Sequence, residues 1–408
     1  CFITTSPAYP VFATDCALEG NVVVKYAVKT SADDEFKIKL SALDGAYKQC
    51  VSEGYRPRAL ITTDPGNPMG SVADVNELRA IRNWCGMKRM WWISDEIYGC
   101  SVHTDCNRPH ISALSLPLLE GDIDSPTLVL WGFSKDMALS GMRVGLIMNV
   151  PRQRDWKLIE TVRDAAFKHY SGFSMVSPVA QELCARMLDD EQWLAGFLQI
   201  SRERLTACKR ILCDGLGNLN IPCFEPHAGL FLWCDLTEFI EPDDQDGLGL
   251  FDKLKSDPYR MVVSPGSCFF ADKPGMMRFC YAWMADGEEA CREVVRRLTD
   301  FTHETRKGAW RSVKESLILR LRLQSVRMLS NNRPYAAPHT GQFCASRPFL
   351  SGEKMPDSID YCNIVRSSAD SSTTADRPST LKWEAILGHW AVRDRLLRYD
   401  GIGQKALR

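Results

Sequence analysis

The sequence predicts an α/β fold: a mainly parallel sheet with helices on both faces, followed by a smaller α+β layer. Apolar runs of strand length alternate with helical patterns through the first part of the chain, and repeated strand-helix-strand order produces parallel sheets covered on both sides. After Pro151 the pattern changes to helices, then to short strands closed by an amphipathic helix. The unusual polar strings follow strands, at the carboxyl edge where such sheets bind ligands.

In chain order, Phe2-Ile3-Thr4 reads as a strand already under way. Residue 1 is Cys, with no initiator Met and no signal peptide, so the N-terminus is expected to be truncated. Asn21 to Val28 reads as a strand, and Ser41 to Val51 as a helix with Leu43, Tyr47 and Val51 on one face. Strand Ala59 to Thr63, helix Val75 to Trp84, and strands Met90 to Ser94, Thr127 to Phe133 and Val144 to Asn149 complete the large layer. Helices follow over Trp156 to Phe167, Pro178 to Met187 and Gln192 to about Leu216. Phe224 to Leu236 holds short strands, followed by Arg260 to Phe270 and Met277 to Ala282. A last helix places Ala290, Val294, Leu298 and Phe301 on one stripe. The division expected is a large domain over 1–190, a small one over 191–303 and a tail over 304–408.

The 408 residues carry a net charge of −1, but unevenly. Residues 304–408 hold 18 Lys+Arg against 10 Asp+Glu, a surplus of +8 that leaves −9 on residues 1–303. The tail includes the Ser/Thr-rich stretch Ser367 to Thr380, which offers little to bury, and is expected to be largely disordered. Leu319-Arg320-Leu321-Arg322-Leu323 alternates as an edge strand or a basic amphipathic segment would, and Trp383 to Tyr399 has helical spacing. An acidic body argues against nucleic acid as a partner, and no apolar run reaches the ~18 residues of a membrane span. Sixteen cysteines without a CxxC pair or zinc spacing suit a reduced, cytoplasmic enzyme with no metal.

Three strings carry candidate chemistry. Asp64-Pro65-Gly66-Asn67-Pro68-Met69-Gly70 follows a strand and by itself is a string of turn formers. Ser94-Asp95-Glu96-Ile97-Tyr98 brings acids to the ligand edge, where an acid can equally cap the next helix. Trp131-Gly132-Phe133-Ser134-Lys135-Asp136 ends another strand with a lysine, a residue type that is usually solvated.

Together, Asn-Pro-x-Gly, Asp-Glu-Ile-Tyr and Ser-Lys-Asp-x-x-Leu-x-Gly-x-Arg-x-Gly resemble the fold-type I pyridoxal-phosphate enzymes. Within these the chain looks like the class I/II aminotransferases, particularly the branch that includes 1-aminocyclopropane-1-carboxylate synthases. Pro7-Ala8-Tyr9-Pro10-Val11-Phe12, Ala228-Gly229-Leu230-Phe231, Ser264-Pro265-Gly266 and Met277-Arg278-Phe279 extend the resemblance from about Cys1 to about Phe301.

The resemblance implies pyridoxal 5'-phosphate as cofactor and a role for each matching residue. Lys135 would condense with the cofactor aldehyde as a Schiff base and then move a proton between the substrate Cα and cofactor C4′. Asp95 would keep the pyridine nitrogen protonated. Asn67 and Tyr98 would hydrogen-bond the ring's phenolate oxygen, and Tyr9 would stack on its face. Arg143 and Ser134 would hold the phosphate, and Arg278, with Asn67 beside the substrate, would grip its α-carboxylate through two parallel hydrogen bonds. Gly132 stands where the family usually has Ser or Thr, so one phosphate donor is absent, and Ser140 replaces a common proline. The family's phosphate-holding turn would precede Cys1, which leaves the pocket incomplete as written.

Three functions follow. The first is an aminotransferase passing the amino group of an α-amino acid to a 2-oxo acid. The second is a lyase on the same scaffold, forming a cyclopropane or cleaving C–S bonds. The third is a truncated, inactive product without bound cofactor. A homodimer is expected by resemblance.

Overall fold

The computed structural model describes residues 1–149, 160, 164–165, 176–282 and 284–308, all within one compact unit, Cys1–Leu317. All but three positions of the helix predicted over Trp156 to Phe167 lie outside the described residues, as does the tail from residue 309 onward.

The large sheet has six strands: β1 (Phe2–Ser6), β2 (Val24–Lys29), β3 (Ala59–Thr63), β4 (Trp91–Asp95), β5 (Thr127–Gly132) and β6 (Gly145–Met148), in the order β2-β1-β3-β4-β5-β6. Pairing is parallel from β2 to β5, and only β6 runs antiparallel, against β5. The register sets Thr63 beside Asp95, so the loops after β3 and β4 leave the sheet together.

Helices α1 (Val11–Gly20), α2 (Leu40–Ser52) and α3 (Val75–Lys88) lie between these strands in the chain. The Asp74 side chain caps α3 by accepting from the Asn76 and Glu77 amides at 2.9 and 3.0 Å. Leu78, Ile81, Trp84 and Cys85 of α3 pack with Leu43, Ala46 and Cys50 of α2 over Ile3, Leu60 and Trp92 of the sheet. Burying each large apolar side chain contributes roughly 1.5–3 kcal/mol. The α2 stripe is rotated from the one expected, since Ala46 and Cys50 turn inward whereas Val51 is 50% exposed. Two helices were not read in the sequence, α1 and α6 (Leu248–Lys255).

Helices α4 (Pro178–Asp189) and α5 (Glu191–Asn218) lead to a second sheet. It comprises β7 (Cys223–Phe224), β8 (Phe231–Asp235), β9 (Ser264–Pro265) and β10 (Met276–Cys280), in the antiparallel order β7-β8-β10-β9. Arg260 to Phe270 contributes only β9 and a 3-10 turn, Gly266–Phe269. Helix α7 spans 288–308 and continues beyond Phe301, with Arg306 forking onto both Glu238 carboxylate oxygens at 2.9 Å.

The loop that carries Asn67 is sealed against the segment before β8. The His227 and Ala228 amides both donate to the Gly70 carbonyl, at 2.9 and 3.0 Å. Gly70 has φ +73°, and a Cβ there would stand 2.5 Å from the Ala228 carbonyl oxygen and 2.6 Å from Pro226 Cβ. Gly70→Ala is therefore expected to destabilise the protein by about 2–4 kcal/mol through strain and overpacking, measured by urea denaturation.

Candidate active site

The two loops and the turn after β3, β4 and β5 converge with β10 of the smaller layer. Asp95 ends β4, and its carboxylate accepts from the Ile97 amide at 3.2 Å. Burial pushes its pKa up to about 7, with the Glu96 charge adding to the rise and the Lys135 ammonium opposing it. Asp95 and Lys135 thus share one electrostatic neighbourhood, as expected.

Lys135 sits half-buried in the turn after β5, whose backbone is closed by Ala138 N to Lys135 O (3.0 Å) and Leu139 N to Phe133 O (2.9 Å). The next residue, Asp136, is buried and ties this turn to its neighbour. It accepts from the Cys100 amide at 2.9 Å, Trp131 Nε1 at 2.8 Å and the Ser101 hydroxyl. Sequence reasoning quoted Asp136 without a role, because its partners Cys100 and Ser101 are brought to it by the β4–β5 pairing rather than by spacing.

Tyr98 is buried edge-on to Phe231, ring centroids 5.3 Å apart. Its hydroxyl pKa is raised by burial first and by Asp95 and Tyr9, and lowered by Arg278. Tyr9, 36% exposed, feels the same groups: burial and the Asp15 and Asp95 charges raise its pKa, while Arg278 and Arg143 lower it. Tyr9 is fixed through its backbone carbonyl, which accepts from Tyr26 Oη at 2.9 Å.

Arg278, on β10, is packed between the rings of Phe231 and Phe269, its guanidinium carbon 4.8 and 4.6 Å from their centroids. Nη1 donates to Asn67 Oδ1 at 3.0 Å and Nη2 to Ser264 Oγ at 3.3 Å. Nε has no hydrogen-bond partner among the described residues. Burial lowers the Arg278 pKa, with nearby Tyr98, Cys280 and Tyr9 acting against it. Arg143 is exposed at φ 55° and donates to the Ser140 carbonyl at 3.0 Å. Ser134 lies half-buried beside Lys135. At Gly132 a Cβ would sit 3.0 Å from the Val144 carbonyl oxygen, so a side chain there would need that neighbour to shift by a few tenths of an ångström.

These residues fit pyridoxal phosphate on their own chemistry. A half-buried, partly desolvated carboxylate with as little pairing as Asp95 calls for a cationic partner such as a protonated ring nitrogen. Lys135 offers an amine beside it, Tyr98 and Asn67 offer polar groups next to Arg278, and the unpaired Arg278 Nε leaves capacity for an anion.

Comparison with known proteins agrees. The family profile for aminotransferase class I and II matches residues 2–298. A 1-aminocyclopropane-1-carboxylate synthase of Glycine max is 31% identical over 312 residues, 75% of this chain and 61% of that protein. One of Prunus mume is 30% identical over 309 residues, 75% of this chain and 60% of that protein. The chain thus spans about three-fifths of the length of these curated relatives. Among solved structures, an aromatic aminotransferase from Pyrococcus horikoshii superposes with a TM-score of 0.61 at 24% identity, covering 75% of this chain and 73% of that one. A Thermus thermophilus aspartate aminotransferase double mutant gives 0.59 at 22% identity over 73% and 68% of the two chains. Fold and sequence agree that the chain belongs to the class I and II aminotransferase family of pyridoxal-phosphate-dependent enzymes.

Proposed function

We propose that the protein transfers the amino group of an α-amino acid to a 2-oxo acid. The observation that supports this most directly is the Arg278 guanidinium, pinned on Asn67 and Ser264 with Nε unpaired, a ready receptor for an α-carboxylate near a lysine and a half-buried aspartate. When bound, pyridoxal phosphate supplies an aldehyde that captures the amine and a ring that accepts electrons from Cα.

The chain's own residues do the rest. Arg278 orients the substrate by its carboxylate, so that the Cα–H bond faces the Lys135 amine. Lys135 would take the proton from the substrate Cα and deliver it to cofactor C4′ rather than back to Cα, the move that distinguishes transamination from racemisation. Asp95 would hold a proton on the ring nitrogen through its negative charge, Tyr98 and Asn67 would donate to the ring oxygen, Tyr9 would pack on the ring, and Arg143 with Ser134 would hold the phosphate.

A second reading is elimination from the substrate side chain. The curated relatives at 30–31% identity named as 1-aminocyclopropane-1-carboxylate synthases favour it. Both readings use Lys135, Asp95 and Arg278 alike, and products separate them. Incubation with a panel of amino acids plus 2-oxoglutarate or pyruvate, followed by mass analysis, is expected to yield a new amino acid derived from the oxo acid. A cyclopropane, thiol or ammonia without that amino acid would transfer the proposal to the lyase. Protein that takes up no cofactor would sink both.

The same proposal includes a homodimer, testable by analytical ultracentrifugation, and a cytoplasmic location, supported by the many cysteines without paired spacing. No helix among the described residues is long and apolar enough to cross a membrane.

A further inference from the structure

Behind the Asn67 loop lies a cluster of buried titratable side chains that the reaction above does not use. Asp64 ends the β3 strand's exit and is 6% exposed; its Oδ1 accepts from the Ala73 amide at 2.9 Å, and its Oδ2 has no partner. His110 Nε2 also lacks one, and stands 3.7 Å from Asp64 Oδ2 and 3.8 Å from Glu96 Oε2. A neutral ring carries one N–H donor and one acceptor nitrogen, so Nε2 can accept a proton from a facing acid when Nδ1 holds the ring proton. Glu96, by contrast, is well supplied with donors: Oε1 accepts from the Ser94 hydroxyl at 3.1 Å and the Ala113 amide at 2.8 Å, and Ser112 adds another.

The wiring reaches the site at two points. Asp64 N donates to the Asp95 carbonyl at 3.0 Å, and Glu96 N to the Leu130 carbonyl at 2.8 Å. Three carboxylates, Asp64, Asp95 and Glu96, therefore crowd the carboxyl ends of two adjacent strands, with Glu77 of α3 adding its charge from the other side. Two buried polar atoms without partners, facing each other at 3.7 Å, are both satisfied by a single proton between them once they close to hydrogen-bond distance.

We propose that Asp64 and His110 share one proton across Oδ2 and Nε2, and that this neutral pair is the clasp that seats the Asn67 loop against the turn bearing Asp95 and Tyr98. Asp64 and His110 are positioning residues, and their importance for the cofactor rests on the reading of the site above. The titration directions agree with the geometry. Burial, with the Glu96 and Glu77 charges, pushes the Asp64 carboxyl up to about 8 against the opposing Ala73 hydrogen bond, and burial pulls His110 down to about 4. The proton belongs on the acid, and the ring stays neutral.

The sign of the pH effect follows. A carboxyl whose folded pKa lies above its unfolded value of about 3.9 contributes stability that is complete below about 3.9 and lost as pH rises through about 8. From pH 7 to 8 Asp64 contributes about a fivefold rise in the unfolding equilibrium constant and Asp95, raised to about 7 and half protonated at pH 7, about a twofold one, so comparison with a variant lacking the Asp64 carboxyl isolates its share.

The test uses the full chain, without cofactor and with it. In the cofactor-free protein labelled with nitrogen-15 at histidine, and with His110 assigned through H110Q, the ring is expected to show the neutral, Nδ1-protonated signature at neutral pH. Asp64→Asn places an amide N–H where the carboxyl proton was. It should keep that signature, shrink the stability step between about pH 7 and 8 to the smaller share of Asp95, and melt higher than the unsubstituted protein at pH 8. In titrations with pyridoxal phosphate, affinity should fall above about pH 8 in the unsubstituted protein and stay level in D64N. An imidazolium signature at neutral pH, or a pH step that persists unchanged in D64N, overturns the proposal. If the chain takes up no cofactor, the reading of the active site fails, while the ring signature and the stability step still decide the shared proton.

Discussion

Replacing Lys135 by alanine is expected to lower turnover by at least about 10⁴-fold, because one amine is both the group that captures the cofactor and the base that moves the Cα proton. The fold should survive. Lys135 is only half-buried, and its backbone carbonyl rather than its side chain closes the turn, through the Ala138 amide at 3.0 Å. The neighbour that anchors the turn is Asp136, with its bonds to Cys100, Ser101 and Trp131. Circular dichroism and thermal melting should therefore match the parent, while the visible absorbance of the cofactor-loaded protein loses its borohydride-sensitive band. Turnover within about tenfold of the parent would remove Lys135 from its role.

Asp95→Asn should be the second largest loss, about 10²-fold to 5 × 10³-fold in turnover, with weaker cofactor affinity. Asn preserves shape and can still accept the Ile97 amide bond, but it carries no charge to hold a proton on a ring nitrogen. Leaving a buried cation without its partner costs about 3–5 kcal/mol, of which each 1.36 kcal/mol is tenfold. The pH dependence gives a separate check. The Asp95 carboxyl titrates at about 7 in the cofactor-free protein, so cofactor affinity should strengthen as pH rises through that value and the rise should be absent in the variant. A variant whose affinity follows the parent's pH profile would move the charge to another residue.

Much of the architecture could be read before the fold was known, and the reasons are local. Ala59–Thr63 matched its strand because an apolar run is bounded by Arg56-Pro57-Arg58 on one side and Asp64-Pro65 on the other. Helix α3 was expected over Val75 to Trp84, yet it runs to Lys88 because Arg89 supplies a left-handed cap at φ 54° that no propensity rule anticipates. Helix α1 escaped notice because it follows Pro10, has no side-chain cap and, among its described side chains, buries none. In α2 the apolar positions allowed two stripes, and packing against β2 chose the one containing Cys50 over Val51.

The site was legible in a different way. The residue types after each strand follow from where such sheets bind ligands, but the joining of Arg278 to Asn67, 211 positions apart, is set by tertiary packing, and only resemblance pointed to it. Where resemblance was silent, so was the sequence. Asp64, His110 and Asp136 find their partners through strand register and loop return, which leave no spacing pattern to read.

The seal between Gly70 and the 226–228 segment also bears on how this protein can vary. A position with no space for a methyl group, whose carbonyl receives two amides from a segment more than 150 residues later, ties two stretches of the gene into one unit of inheritance. Substitutions in either stretch survive only when the other already accommodates them. Transplanting the Asn67 loop into a relative without its 226–228 counterpart should therefore fail where exchanging both together succeeds.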